Sequence, residues 1–590
     1  MAAKTALSAR NLSVSDADLS AIQAAYDRGA FRKALYRAKK VLTILPEHVA
    51  LNALAGVSAK ALGHVAEAEA FFGKAIASEG PGSAWQSPLG ELLLEQERAD
   101  AAIDCFAARL KQAGGDARAC NGLGLALLAT GQFQQALTIL SEAVRLDPSN
   151  AQYLGNLGQV FESSGMIGQA RQCFTLACQL DPDIPRLHIQ RARAEHYDGD
   201  ANSALDTLSA AHRRWPKNAE IINAEAVVLS ALGRRDAARE KYRAAIRAEP
   251  DNYVPYANFA NNFVMDDEPE IEAAVQRMLA STGAAAGGAA RHRSLQFTLT
   301  KIHEDKGNYA TAHAALVQAN RLRKAELGYD IARDARMFDA LKVEWAELNS
   351  HDVTATASRQ IPIFIVGLPR SGTTLCETIL SRHDQVTGMG ELDNLMHAAR
   401  RCRPGAMGPE WPTALRRDYL SSLPDSASQT RFFTDKMPLN FRFIGQIATA
   451  FPEARIVHVV RDARATGWSI YRTFFSSAGN GFAYDPADVV AYYRLYRDLM
   501  EFWHRRFPGR IVTLDYDALT DDQDGQSRAF LDQLGLDWDP KCLSPEKADH
   551  AVLTASSQQV RRKIYAGSSQ GWRRYEPFAG EWLNRLGQGP

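Results

Sequence analysis

The chain has 590 residues, more than one hydrophobic core supports, and about two to four domains are expected. Apolar residues make up 46% and charged residues 23%, as in ordinary globular protein. Lys plus Arg equals Asp plus Glu at 68 each, which argues against nucleic acid or anionic membrane as a partner of the whole chain and makes any basic site local. The cysteines number seven and no C-x-x-C occurs, which suits a reducing compartment. The first 30 residues are polar without an apolar signal core, and the apolar run IPIFIVGL is too short to span a bilayer. A cytoplasmic protein with no transmembrane segment is expected.

The first half repeats. Gly29, Gly63, Gly131, Gly165, Gly199 and Gly233 share one register of 34, broken only by Glu97. Five residues after each position comes an alanine: Ala34, Ala68, Ala102, Ala136, Ala170, Ala204 and Ala238. Pro46, Pro148, Pro182, Pro216 and Pro250 form a third series, with Gly80 and Gly114 at its gaps. A 34-residue period is that of the tetratricopeptide repeat, with two antiparallel helices per unit. Glycine permits the turn between the helices, alanine their close approach, and proline ends the second helix. Residues 1–252 are read as an all-α solenoid of about seven units. Its concave face would bind a peptide or protein, or else serve as a scaffold or dimerisation arm.

Residues 253–350 are read as degenerate or capping helical repeats and a connector. Within them STGAAAGGAA (281–290) suggests a flexible joint, and Gly307 with Ala312 restores the glycine-to-alanine spacing out of register. Residues 351–360 are read as a linker. From Ile361 the texture changes. IFIVG (Ile363 to Gly367), RIVHVV (Arg455 to Val460) and RIVTLDY (Arg510 to Tyr516) are predicted strands, alternating with helices such as SRAFLDQLGL (Ser527 to Leu536). Residues 361–590 are therefore expected to form a P-loop-like α/β domain with a central parallel sheet.

Three clusters in this domain point to anions. The first is GLPRSGTT. Gly367 and Gly372 have Walker A spacing, but Thr373 stands where the lysine belongs. Backbone N–H groups of Ser371, Gly372, Thr373 and Thr374 would face an anion at a helix N-terminus, and Arg370 offers a fork for phosphate or sulfonate oxygen. The second is Arg461 at a strand end, for a second phosphate, with Ser469 eight residues on. The third is VRRKIYAGSSQGWRRY (Val560 to Tyr575). There Arg561, Arg562, Lys563, Arg573 and Arg574 interleave with Tyr565, Trp572 and Tyr575 and read as a mobile lid, with cations for phosphate and rings for a base.

GLPRSGTTL followed by RDARATGWS resembles the sulfotransferase fold, over roughly residues 360–575. The whole arrangement resembles the bacterial tetratricopeptide-repeat sulfotransferases. Within the domain the R-S-G-T-T loop is similar to that of the tyrosylprotein sulfotransferases. The resemblance implies 3′-phosphoadenosine 5′-phosphosulfate (PAPS) as donor, with no metal. A donor without β/γ-phosphates leaves a Walker lysine nothing to reach. The resemblance also implies Glu391 as general base, with Lys436 and Arg370 stabilising the bridging oxygen. Asp435 and Asp393 are alternatives for the base. Tyr516 and Ser556 match further donor-site positions. Where those enzymes carry another Arg, this chain has Thr473 beside Arg472. His383 and His458 are read as structural. The expected function is PAPS-dependent sulfuryl transfer to a hydroxyl, of a peptide or protein tyrosine or of a carbohydrate or lipid-linked acceptor. A P-loop kinase using Asp462 and an inactive repeat scaffold are the rivals.

Overall fold

The 34-residue register appears in the computed structural model as helix, left-handed turn, helix. Described are residues 16–80, 82–112, 114–265, 268–281, 288–347, 360–402, 408–423, 427, 429–475, 478–547, 564–565 and 567–588. The predicted linker therefore lies outside the described residues except for Gln360, as does most of the predicted joint. The chain divides into two compact units, Met1–Asp198 and Gly199–Pro590.

In the first unit, Gly29, Gly63, Gly131 and Gly165 turn between paired helices at φ 73°, 74°, 75° and 75°. Glu97, the one break in the glycine series, takes the same conformation at φ 59°. The turn demands this backbone whatever residue supplies it. The alanines five residues on, from Ala34 to Ala170, are all 0% exposed. A further series in the same register joins each pair. Cβ atoms on Gly56, Gly90 and Gly158 would stand 2.7, 2.7 and 2.8 Å from the rings of Phe72, Phe106 and Phe174, and Gly124 meets Leu140 in the same way. The first helix of each pair gives up its side chain so that a large apolar group on the second can lie against its backbone.

The second unit begins with more helices. The helices Gly288–Asp305 and Tyr309–Leu327 turn at Gly307, φ 75°, with Ala312 fully buried behind it, as the restored spacing predicts. The helix Ile331–Glu347 follows. Five strands then form one parallel sheet: β1 (Ile361–Gly367), β2 (Val386–Gly388), β3 (Phe432–Asp435), β4 (Arg455–Val460) and β5 (Ile511–Asp515), in the order β2-β3-β1-β4-β5.

Residues alternate across β1. Ile363 and Ile365 pack on Ile379, Val457 and Leu534. Phe364 and Val366 face the opposite layer, with Ile456, Tyr492 and Trp503. Burial on both faces accounts for the near-continuous apolar run of a central parallel strand. Phe338 and Trp345, from the helix before the sheet, belong to that second layer. Trp345 lies edge-on to Trp411 and Trp503, with centroids 6.0 Å from each.

Candidate functional site

Every strand of the parallel sheet delivers one of the singled-out residues at its carboxyl end. The P-loop follows β1, Glu391 follows β2, Lys436 follows β3, Arg461 follows β4 and Tyr516 follows β5. Ligands of open parallel sheets gather at this edge, because helix N-termini and loops converge there.

The loop after β1 is tightly determined. Gly372 has φ 106°, and a Cβ on it would stand 2.3 Å from the Tyr516 ring. Arg370 is non-glycine at φ 70°. Its Nε donates to Ser469 Oγ at 3.1 Å, and its carbonyl accepts from Arg461 at 3.2 Å. Burial and the cations of Arg472 and Arg461 push Arg370 down to about 10. Three arginines thus converge on one cleft, also lined by Thr374, Ser469 and Tyr516. Ser371 and Thr373 are buried in the loop. The Ser371 amide closes a turn on Leu368 O at 3.2 Å, so it serves the loop itself and does not face an anion as the motif suggested. The buried Ser371 hydroxyl has no hydrogen-bond partner among the described residues.

Arg461 is held on three sides. Its Nε donates to Ser569 Oγ at 2.9 Å and its Nη2 to Ser568 O at 2.9 Å, while the guanidinium lies 4.6 Å above the Tyr516 ring. Tyr516 Oη pairs with Ser568 Oγ at 2.9 Å, and Ser569 Oγ donates to Asp517. Ser568, Ser569 and Asp517 were not read from the sequence. Their only signal was serine beside a basic cluster and a carboxylate just past a strand. Ser556, Arg561, Arg562 and Lys563 lie outside the described residues. The stretch Ser568–Tyr575 is a 3-10 helix in which Tyr575 does not belong to a lid. Its ring is buried 4.2 Å from that of Trp468, and its hydroxyl donates to Glu304 at 2.8 Å. Trp572 and Tyr565 do line the cleft, whereas Arg573 and Arg574 are exposed.

At the β2–β3 end, Lys436 Nζ donates to Glu391 Oε1 at 2.5 Å, the lysine fully buried and the carboxylate 41% exposed. Asp435 has another role. It is fully buried, accepts from Tyr419 Oη at 2.9 Å and Asn440 Nδ2 at 3.3 Å, and burial drives its carboxyl well above the usual range. Asp393 is exposed. Asp462 caps the helix Ala463–Tyr471, its Oδ1 accepting from Ala465 N at 2.8 Å. His383 bonds Asp537 O at 2.8 Å, and burial pushes His458 down to about 3, so both serve the fold.

A family model described as "Sulfotransferase family" matches residues 362–540, and a "Tetratricopeptide repeat" model matches residues 121–185. The chain joins tetratricopeptide repeats to a sulfotransferase-family domain. It is similar to an uncharacterized protein of Aquifex aeolicus (strain VF5), 29% identical over 433 residues, covering 69% of this chain and 55% of that one. It is similar to protein-tyrosine sulfotransferase 2 of Gallus gallus, 22% identical over 231 residues, covering 35% and 59%. It is also similar to omega-hydroxy-beta-dihydromenaquinone-9 sulfotransferase of Mycobacterium tuberculosis (strain CDC 1551 / Oshkosh), 29% identical over 163 residues, covering 26% and 40%. The chain thus spans 40% to 59% of the length of these relatives. Among the described residues no helix is long and apolar enough to cross a membrane.

Proposed function

We propose that this chain is a sulfotransferase that takes PAPS as donor and transfers its sulfuryl group to a hydroxyl. The observation that supports this most is the convergence of Arg370, Arg461 and Arg472 on a cleft built over a lysine-free P-loop. Arg461 and Arg472 both press on the buried Arg370 guanidinium, and a multiply charged anion in the cleft would relieve that repulsion.

When bound, the donor supplies the sulfuryl group. Gly372, Thr373 and Thr374 would hold its 5′ end through the loop and helix N-terminus, with Ser371 shaping the loop, and Arg461, Ser469 and Tyr516 its 3′-phosphate side. Ser556, Arg561, Arg562 and Lys563 are proposed as further donor contacts. Glu391 removes the acceptor proton. Its exposure gives an acceptor access, and the buried Lys436 holds it in place through the hydrogen bond at 2.5 Å. Lys436 and Arg370 offer N–H donors to the oxygen on which charge develops.

The acceptor we favour is a tyrosine of a peptide or protein, captured on the repeats of residues 1–252. Similarity to protein-tyrosine sulfotransferase 2 supports it. Similarity to a menaquinone sulfotransferase favours a second acceptor class, a lipid-linked hydroxyl. Calorimetric titration tests the donor. 3′-Phosphoadenosine 5′-phosphate is expected to bind without magnesium, and Arg461→Ala to weaken it by about tenfold or more, the loss of charge-assisted hydrogen bonds. Magnesium-dependent ATP binding with no preference for the 3′-phosphate would instead mean a kinase.

A further inference from the structure

We infer that Glu377, on the helix that opens with the P-loop threonines, is a positioning residue for Glu391. The inference rests on the reading of Glu391 as the base. Glu377 is 4% exposed. Its Oε1 accepts from Gly390 N at 2.8 Å and from Thr434 Oγ1 at 2.8 Å. Thr434 Oγ1 in turn accepts from Met389 N at 3.2 Å. On the other side of the same residue, Gly390 O accepts from Lys436 N at 2.9 Å. Gly390 itself sits at φ 72°.

The residue immediately before Glu391 is therefore clamped from both sides. Its N–H is taken by a side chain of the P-loop helix and its C=O by the β3 terminus. The left-handed turn at Gly390 then sends the next residue away from the sheet, where Glu391 meets Lys436. Both donors to Glu377 are neutral. A carboxylate buried against neutral donors is costly to keep for stability alone. Here it links the loop assigned to the donor with the strand end that presents the base, so the two halves of the site are set by one side chain. Asp435 and Lys436 extend from the same strand, but neither bonds Gly390 through its side chain.

Hydrogen–deuterium exchange on the full chain tests this without knowledge of the acceptor. In Glu377→Ala the Gly390 amide loses its acceptor. Residues 386–392 are expected to exchange at least about tenfold faster, while residues 363–376 keep the parental rate. Glu377→Gln keeps a carbonyl oxygen for both donors and is expected to stay within about twofold of the parent. Unchanged exchange in Glu377→Ala, acceleration that spreads to residues 363–376, or a Gln variant as fast as the Ala variant would each overturn the inference. In transfer from PAPS to 4-nitrophenol, Glu377→Ala is expected to lose kcat at least about tenfold with the KM for PAPS held within about twofold. A parental kcat overturns the positioning role. Parental activity in Glu391→Gln would sink the base reading alone, and the exchange result would still report whether Glu377 anchors Gly390.

Discussion

Arg370 pairs a strained backbone with a crowded charge. A left-handed conformation costs a non-glycine residue about 1–2 kcal/mol, and Arg461 and Arg472 press on the same guanidinium. Arg370→Gly removes both penalties and is expected to raise Tm in thermal denaturation. Affinity for 3′-phosphoadenosine 5′-phosphate should fall about tenfold or more with the lost charged donor. A fall in Tm would mean that the arginine stabilises the loop. Asp435 makes a separate prediction. Its folded-state carboxyl lies above the unfolded value, raised by burial. Between those two values the unfolded chain has released a proton that the native chain retains. Stability therefore declines as pH rises through that window, by at most about 1.4 kcal/mol per pH unit. Asp435→Asn should remove this decline, so that Tm falls less as pH rises above the usual carboxylate range, and an unaltered slope would count against a protonated Asp435. At this scale the sequence was partly legible. Arg370 stood out inside a glycine-bounded loop, Arg461 at the end of a predicted strand, and Lys436 through the resemblance. Glu377, Ser568, Ser569 and Asp517 did not, because a buried carboxylate on an apolar helix and a serine pair in a loop carry no spacing of their own.

Elements were legible in proportion to their length and periodicity. The repeat helices announced themselves through three series in one register, yet the fourth, glycine against a ring, went unread. Its glycines fall inside helices, where pattern reading expects none. Gly90→Val would place side-chain atoms where the Phe106 ring lies, and about 1–3 kcal/mol of stability is expected to be lost in denaturant unfolding. Gly29→Ala, at an open turn, should cost only the strain of its left-handed backbone, about 1–2 kcal/mol. β1, β4 and β5 were read as strands. β2 and β3 were not. They run three and four residues, too short for alternation, and their pairing with longer neighbours is what makes them strands. Glu391 and Lys436 were singled out through the resemblance, without the strands that aim them.

In the second unit, the sheet's core does not start where the α/β texture starts. Phe338 and Trp345 precede the first strand and are 1% and 2% exposed within the sheet's second layer. Asn320 donates to Tyr471 O at 2.8 Å, and Glu304 joins Arg472 at 2.7 Å. A fragment beginning at Ile361 would leave this apolar face uncovered and is expected to aggregate on expression, whereas residues 199–590 should fold and melt cooperatively. Trp345→Ala in the full chain should cost about 3–5 kcal/mol, read from the unfolding midpoint.

By itself the sequence determined the repeat register, the parallel α/β class and the lysine-free P-loop, because each is a local rule: a turn that needs a left-handed residue, a strand buried on both faces, a glycine-bounded loop between a strand and a helix. Only the tertiary structure decided which side chains stand together. The Glu377 clamp spans residues 377 to 436, Arg461 is seated by residues 568 and 569, and the sheet's second layer borrows a tryptophan from the helix before it. Such contacts depend on strand order and crossover geometry, which no spacing along the chain encodes.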